Sequence, residues 1–180
     1  MAIQILEVVQ NTEEWLKIRE NRVTGSNSET LLTHGLEEAL KDNFKQFRGN
    51  YYTERGHILE DEAIELYNSI HDVIVSRVGF IINDKFPNAG CSPDGIDGEY
   101  LIEVKCFSKD KHLAIKSKST IPMKVMAQLQ FNMMICELKK ARLVMYNPDI
   151  EDDGDAYREI EVLAKPKIFE NIKRRLENQR

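Results

Sequence analysis

Residues 92–105, Ser92-Pro93-Asp94-Gly95-Ile96-Asp97-Gly98-Glu99-Tyr100-Leu101-Ile102-Glu103-Val104-Lys105, decide how this chain is read. Pro-Asp-Gly is turn chemistry: proline presets φ, aspartate bonds back to the backbone and glycine tolerates positive φ. The stretch from Tyr100 to Cys106 is β-rich, and alternate residues of a strand share a face. Glu103 and Lys105 therefore project together, while Ile102 and Val104 point into the core. Asp94 lies nine residues before Glu103, a spacing that lets a hairpin fold it alongside. Two convergent carboxylates with a lysine make a hard-oxygen site suited to Mg²⁺. Such an ion polarises a phosphodiester and helps generate hydroxide from bound water. Lys105 would position or deprotonate that water, or stabilise transition-state charge. Alone, Pro-Asp-Gly is ordinarily structural and Glu-x-Lys is ordinarily a solvated pair worth at most ~1 kcal/mol. Their conjunction on one patch points to chemistry.

Working outward, residues 13–20 read as a helix capped by Asn11 or Thr12. Ser26 and Glu29 have the spacing of a capping box that opens a second helix. Residues 36–47 and 53–69 read as amphipathic helices, the longer carrying Ile58, Leu59, Ala63, Ile64, Leu66 and Tyr67. The period then becomes alternating: residues 72–83 read as a hairpin or one long strand. Helix returns at 122–136, where Pro122 suits a first turn. Strands follow at 141–146 and 157–163, with a closing helix from Pro166. This order predicts an α/β fold with a central mixed β-sheet flanked by helices, and the absence of linkers and repeats predicts a single domain over residues 1–180.

The chain has 180 residues, 42% hydrophobic and 31% charged. That length buries roughly 70% of its unfolded surface, so no disulfide or structural metal is needed for a core. Three cysteines without a CxxC pair disfavour a disulfide framework, a zinc site and an iron–sulfur cluster. No apolar run suits a membrane span, and the first residues lack a basic region and reach Glu7 too early for a signal peptide. The expectation is a reduced, cytoplasmic protein with no membrane partner. Between Lys105 and Lys124 stand six lysines and one acid, Asp110, a surplus of five; the net charge is −5, so the other 160 residues carry −10. That segment either faces an anionic partner or is a solvated loop and helix face.

Asp94…Glu103-Val104-Lys105 resembles the PD-(D/E)xK nuclease pattern, whose core is restriction-endonuclease-like. From about Glu13 to Asp149 the surroundings resemble the phage lambda-type exonuclease family (YqaJ-like viral recombinases). The matching pieces fall in family order: Trp15-Leu16-Lys17-Ile18-Arg19, Thr24-Gly25-Ser26, Gly56-His57-Ile58-Leu59-Glu60, Cys91-Ser92-Pro93-Asp94-Gly95, Glu103-Val104-Lys105 and Met126-Ala127-Gln128-Leu129-Gln130-Phe131. The resemblance implies that Glu60, Asp94, Glu103 and the Val104 backbone carbonyl are metal ligands, Lys105 the catalytic lysine and Gln128 an active-site glutamine. It also implies that Arg19 and Ser26, joined by Ser92, hold a 5′-terminal phosphate. Guanidinium binds phosphate bidentately. Without the resemblance, Glu60 reads as a solvated helical acid, Gln128 as a core hydrogen-bonder, Arg19 as a surface pair and Ser26 as a cap.

The implied activity is Mg²⁺-dependent 5′→3′ exonuclease action on linear duplex DNA, with one or two ions, Mn²⁺ as a substitute, and 3′ single-stranded overhangs as product. A homotrimeric ring and a single-strand annealing protein as partner follow from the same resemblance. Lys109, Lys111, Lys116 and Lys118 would contact backbone phosphates. The chain is short for the family, and Cys106 follows the Glu-x-Lys motif. Cys91 and Cys106 read as small buried hydrophobes, His57 and His112 as exposed or capping histidines. Open alternatives are a PD-(D/E)xK endonuclease of restriction or structure-specific type, an RNA-processing nuclease, and a non-catalytic DNA-end-binding module.

Overall fold

A computed structural model of the chain describes residues 2–42, 51–118 and 120–177. In chain order the elements are β1 (Ile3–Leu6), α1 (Glu13–Arg19), a 3₁₀ turn (Gly25–Asn27), α2 (Ser28–His34), α3 (Leu36–Asp42), α4 (Tyr51–His71), β2 (Phe80–Asn83), β3 (Gly90–Cys91), β4 (Gly95–Asp97), β5 (Tyr100–Lys105), α5 (Lys109–Lys118), α6 (Met123–Cys136), β6 (Lys140–Tyr146), α7 (Asp153–Ala156), β7 (Tyr157–Leu163) and α8 (Pro166–Glu177). The strands form a three-stranded antiparallel sheet, β1-β2-β3, and a four-stranded mixed sheet, β4-β5-β6-β7. In the mixed sheet β5 and β6 run parallel, with Glu103 beside Leu143, while β4–β5 and β6–β7 are antiparallel.

The mixed sheet is covered on both faces, which is why β5 is buried from Leu101 to Val104 rather than alternating with solvent. Leu101, Leu143 and Met145 join one core cluster with Leu129, Phe131, Met133 and Ile135 of α6. Ile102, Val104 and Val144 join the other with Ala63, Ile64 and Tyr67 of α4. The alternation expected of β5 holds, but the face of Glu103 is as buried as that of Ile102. Helix α6 is buried from Leu129 to Cys136, polar Gln130 and Asn132 included, as befits a helix with neighbours all round. Thr12 caps α1, its side chain accepting from the Trp15 N–H at 3.3 Å, and Glu13, Glu14, Lys17 and Arg19 complement the helix dipole.

Two expectations need correction. The stretch 72–83 is neither hairpin nor continuous strand: Ser76 bridges Ile96 beside the mixed sheet, whereas Phe80–Asn83 pairs with β1, so its backbone serves two sheets. Ser26 does not open a capping box with Glu29; the turn is closed by the Thr24 N–H donating to Asn27 Oδ1 at 2.7 Å, and α2 starts at Ser28. The lysine-rich segment includes a helix, α5, anchored by buried His112 and Ile115. The helix expected over 36–47 is found as α3; residues 43–47 lie outside the described residues. Among the described residues no helix is long and apolar enough to cross a membrane.

Candidate active site

The β4–β5 hairpin turns through Gly98, whose φ of +54° suits glycine. Gly95 pairs with Ile102, which carries Asp94, one residue before β4, alongside Glu103 and Val104. Asp94 Oδ2 accepts the Val104 backbone N–H at 2.6 Å. Glu103 is 1% exposed: its Oε1 accepts from Lys105 Nζ at 2.5 Å and from Gln128 Nε2, and its Oε2 from Asn132 Nδ2 at 3.2 Å. Glu60 enters from α4, one turn before Ala63. Its Oε1 accepts from Arg77 at 3.1 Å, and the same guanidinium donates to the Asp94 carbonyl at 3.0 Å and to Asp61.

Burial and mutual repulsion dominate the electrostatics. Burial, then the neighbouring Asp94 charge, pushes Glu60 up to about 7 against the pull of Arg77 and Lys105. Burial likewise pushes Glu103 up to about 7, opposed by Lys105 and aided by Asp94 and Glu60. Asp94 is also raised by burial, with Lys105, the Val104 N–H, Arg77 and His57 acting the other way. Burial works to lower Lys105, yet Glu103, Asp94 and Glu60 together carry it up to about 12. Glu60, Asp94, Glu103 and Lys105 thus share one electrostatic neighbourhood, and the lysine is charged at neutral pH.

The donor set fits a hard divalent cation: three carboxylates, none paired with sulfur or imidazole, each discouraged from ionising by burial, with Asp94 adding to the effect at Glu60 and Glu103. As placed, each carboxylate is turned to an internal donor. Among the described residues no three Asp, Glu, His or Cys groups close into a metal-binding cluster. A cation here would compete with Lys105, Gln128, Asn132 and Arg77 for carboxylate oxygens.

Beside this cluster lies a second one. The Arg19 guanidinium lies 3.9 Å from the centre of the Trp15 ring and donates to Ser26 Oγ at 2.9 Å and Thr24 Oγ1 at 3.2 Å. Trp15 Nε1 donates to Ser92 Oγ at 2.8 Å. Burial lowers the Arg19 guanidinium to about 10, still charged at neutral pH. Arg19, Ser26 and Ser92 are therefore brought together, with Trp15 joining them. Ser92 is two residues from Asp94, so the two clusters are contiguous.

The lysines divide. Lys109 and Lys111 are exposed on α5, and Lys111 lies 4.6 Å from the centre of the Phe107 ring. Lys116 pairs with Asp155, and the Lys118 side chain lies outside the described residues. His57 is exposed. His112 is fully buried, contrary to the exposed or capping role expected of it. Cys91 is buried against Cys136, Sγ to Sγ 3.4 Å, and Cys106 is half-buried at the edge of the α4 cluster. Burial raises the thiols of Cys91 and Cys106, which suits the apolar role expected of them.

Sequence reasoning did not single out Arg77, Asn132 or Thr24. Asn132 carries one available signal, its position one turn after Gln128 on the same helix face. Arg77 carries none, since its partners are 16 and 17 residues away through tertiary structure.

A hairpin bearing two acids and a lysine, set in a mixed sheet between helices, has the architecture of the restriction-endonuclease-like fold. Residues 14–139 match the model of the YqaJ-like viral recombinase domain, and the chain belongs to that family, which places it among nucleases that act on DNA. Among solved structures it is similar to LHK-Exo in complex with dAMP (TM-score 0.81, 23% identity, covering 92% of this chain and 89% of that one). It is similar to the alkaline exonuclease LHK-Exo from Laribacter hongkongensis (TM-score 0.79, 22% identity, the same coverage of 92% and 89%). A phage related exonuclease from Haemophilus somnus 129PT is more distant (TM-score 0.57, 16% identity, 82% and 77% covered). Compared with curated proteins, the chain finds no match.

Proposed function

We propose that this protein is a Mg²⁺-dependent 5′→3′ exonuclease that degrades one strand of linear duplex DNA and leaves a 3′ single-stranded overhang. The observation that carries the reading is the convergence of Asp94, Glu103 and Lys105 on one hairpin with Glu60 from α4. When bound by Glu60, Asp94, Glu103 and the Val104 carbonyl, one or two Mg²⁺ ions, with Mn²⁺ as a substitute, would neutralise charge on the phosphodiester and lower the pKa of bound water. The chain's own residues do the rest. Lys105, whose Nζ lies 2.5 Å from Glu103 Oε1, orients the attacking water and stabilises charge building on the phosphoryl oxygens. Gln128 holds the Glu103 carboxylate in place.

Cleavage from a 5′ end is supported by the Arg19–Ser26–Ser92 cluster. A terminal phosphate bound there places the first phosphodiester toward Asp94, two residues along the chain from Ser92. Lys109 and Lys111 would hold backbone phosphates. A homotrimeric ring and a single-strand annealing partner rest on the family resemblance. The test is one gel: linear duplex with 5′-phosphate ends, the same with 5′-hydroxyl ends, and a covalently closed circle, each with Mg²⁺ or chelator. Loss of the phosphorylated linear substrate in Mg²⁺ alone, with the circle intact, is the expected result. A cut circle would mean an endonuclease, and binding without turnover an end-binding module.

A further inference from the structure

Asn132 stands out among the buried polar residues of α6. It is 1% exposed, its Nδ2 donates to Glu103 Oε2 at 3.2 Å, and its Oδ1 is buried with no hydrogen-bond partner among the described residues. An orphaned buried amide oxygen is costly and needs a reason. The reason lies on its far side. A Cβ on Gly25 would sit 2.3 Å from Asn132 Oδ1 and 3.0 Å from Gln128 Cγ, so the amide occupies the space that any side chain at position 25 would need. That turn is itself fixed: the Val23 N–H bonds the Asn88 carbonyl at 2.8 Å, the Gly90 N–H bonds the Val23 carbonyl at 3.0 Å, and Asn27 Nδ2 bonds the Ala39 carbonyl at 2.8 Å. Rotating the amide by half a turn would aim its oxygen at the Glu103 carboxylate, which repels it.

We propose that Asn132, braced by Gly25, is a positioning residue that aims the Glu103 carboxylate at the reaction centre. The proposal rests on the nuclease reading and adds a residue to it. Gln128 and Lys105 both engage Oε1; Asn132 alone among the described donors engages Oε2, and together they set the plane of the carboxylate. Partners that orient a metal-binding side chain typically matter ~10–100-fold in metal affinity or activity.

The test uses the full chain with Asn132→Ala, Asn132→Asp, Gly25→Ala and the Asn132→Ala/Gly25→Ala double variant. Mn²⁺ affinity is measured by titration calorimetry, kcat and KM on linear duplex, and melting by circular dichroism. Asn132→Asp keeps the shape but replaces the donor with an acid, so it separates aiming from packing. The expected result is a ~10–100-fold loss in Mn²⁺ affinity and in kcat for Asn132→Ala and Asn132→Asp, with the KM for DNA unchanged. Gly25→Ala loses a similar factor, and the double variant loses less than the two single losses combined, because both act largely through the Asn132 amide. Wild-type affinity and kcat in Asn132→Asp would overturn the proposal. So would losses that simply add in the double variant. A wild-type chain that bound no divalent cation would instead bring down the nuclease reading, and this proposal with it.

Discussion

The Asp94 carboxylate accepts the backbone N–H of Val104 at 2.6 Å, so the acid that leads into β4 is locked to the strand that carries Glu103 and Lys105. The lock works equally well with an amide oxygen, which separates the stability of the hairpin from its chemistry. Asp94→Asn keeps an acceptor for Val104 and removes one charge from a mutually repelling set. Its unfolding free energy in chelator is expected within about 1 kcal/mol of wild type, while under the proposed function nuclease activity falls at least ~10²-fold because a proposed metal ligand is removed. Denaturant melts and a linear-duplex assay check the two halves.

Lys105→Ala removes the cation that Glu103, Asp94 and Glu60 surround. As a transition-state charge stabiliser, Lys105 is expected to account for a ~10²–10³-fold change in kcat with little change in KM. Single-turnover kinetics distinguish this from a binding defect, which would move KM instead.

The acids also set a pH dependence. Glu60 and Glu103 stand at about 7, above their ordinary 4.5. A raised carboxylate stabilises the fold in its protonated form, fully below about 4.5, and that contribution is lost as pH climbs through 7. In chelator the contribution of these two groups therefore favours the fold at about pH 5.5 over about pH 8.5. Divalent cations need the deprotonated acids, so Mg²⁺ raises the melting temperature strongly at about pH 8.5 and little at about pH 5.5. Melting curves at both pH values, with Mg²⁺ or chelator, check it; an equal Mg²⁺ shift at both would contradict it.

Much of this arrangement is legible in the chain. The alternation of 100–105 carries the face of Glu103, but Pro93-Asp94-Gly95 is not the turn its residues suggest: Gly95 already pairs with Ile102 in β4, and the chain reverses at Gly98. Gln128 shows as a polar residue on an apolar helix. Arg77 does not show, because its carboxylate and carbonyl partners arrive through tertiary packing. Asn132 is masked by a helix buried on all sides, where polarity has no period. The 72–83 stretch misleads for a related reason: its β-branched residues announce extended backbone but not which sheet pairs with it, and here two sheets do. In α5 the anchors His112 and Ile115 are too few among lysines to make a stripe.

The end-phosphate cluster predicts a preference that depends on Arg19. Wild type is expected to act faster on 5′-phosphate than on 5′-hydroxyl ends, and Arg19→Ala to abolish the difference. Arg19→Lys does not restore it, because a lysine neither stacks on Trp15 nor reaches Ser26 and Thr24 together. Paired rate measurements on the two ends check this.

Salt dependence separates the lysines. Lys109→Ala, at an exposed site on α5, is expected to reduce the slope of log K for DNA against log salt by about one. Lys116→Ala, whose ammonium is engaged by Asp155, changes it less. Fluorescence anisotropy on a duplex in chelator across a salt series measures both.

The central claim is that Glu60, Asp94 and Glu103 converge on a divalent-cation site beside Lys105. Anomalous diffraction from a crystal soaked in Mn²⁺ tests it most directly. One or two peaks about 2 Å from carboxylate oxygens of Asp94 and Glu103, with Glu60 adjoining, is the predicted result. Manganese bound elsewhere on the chain, with those carboxylates still held by Lys105, Gln128 and Arg77, would contradict it.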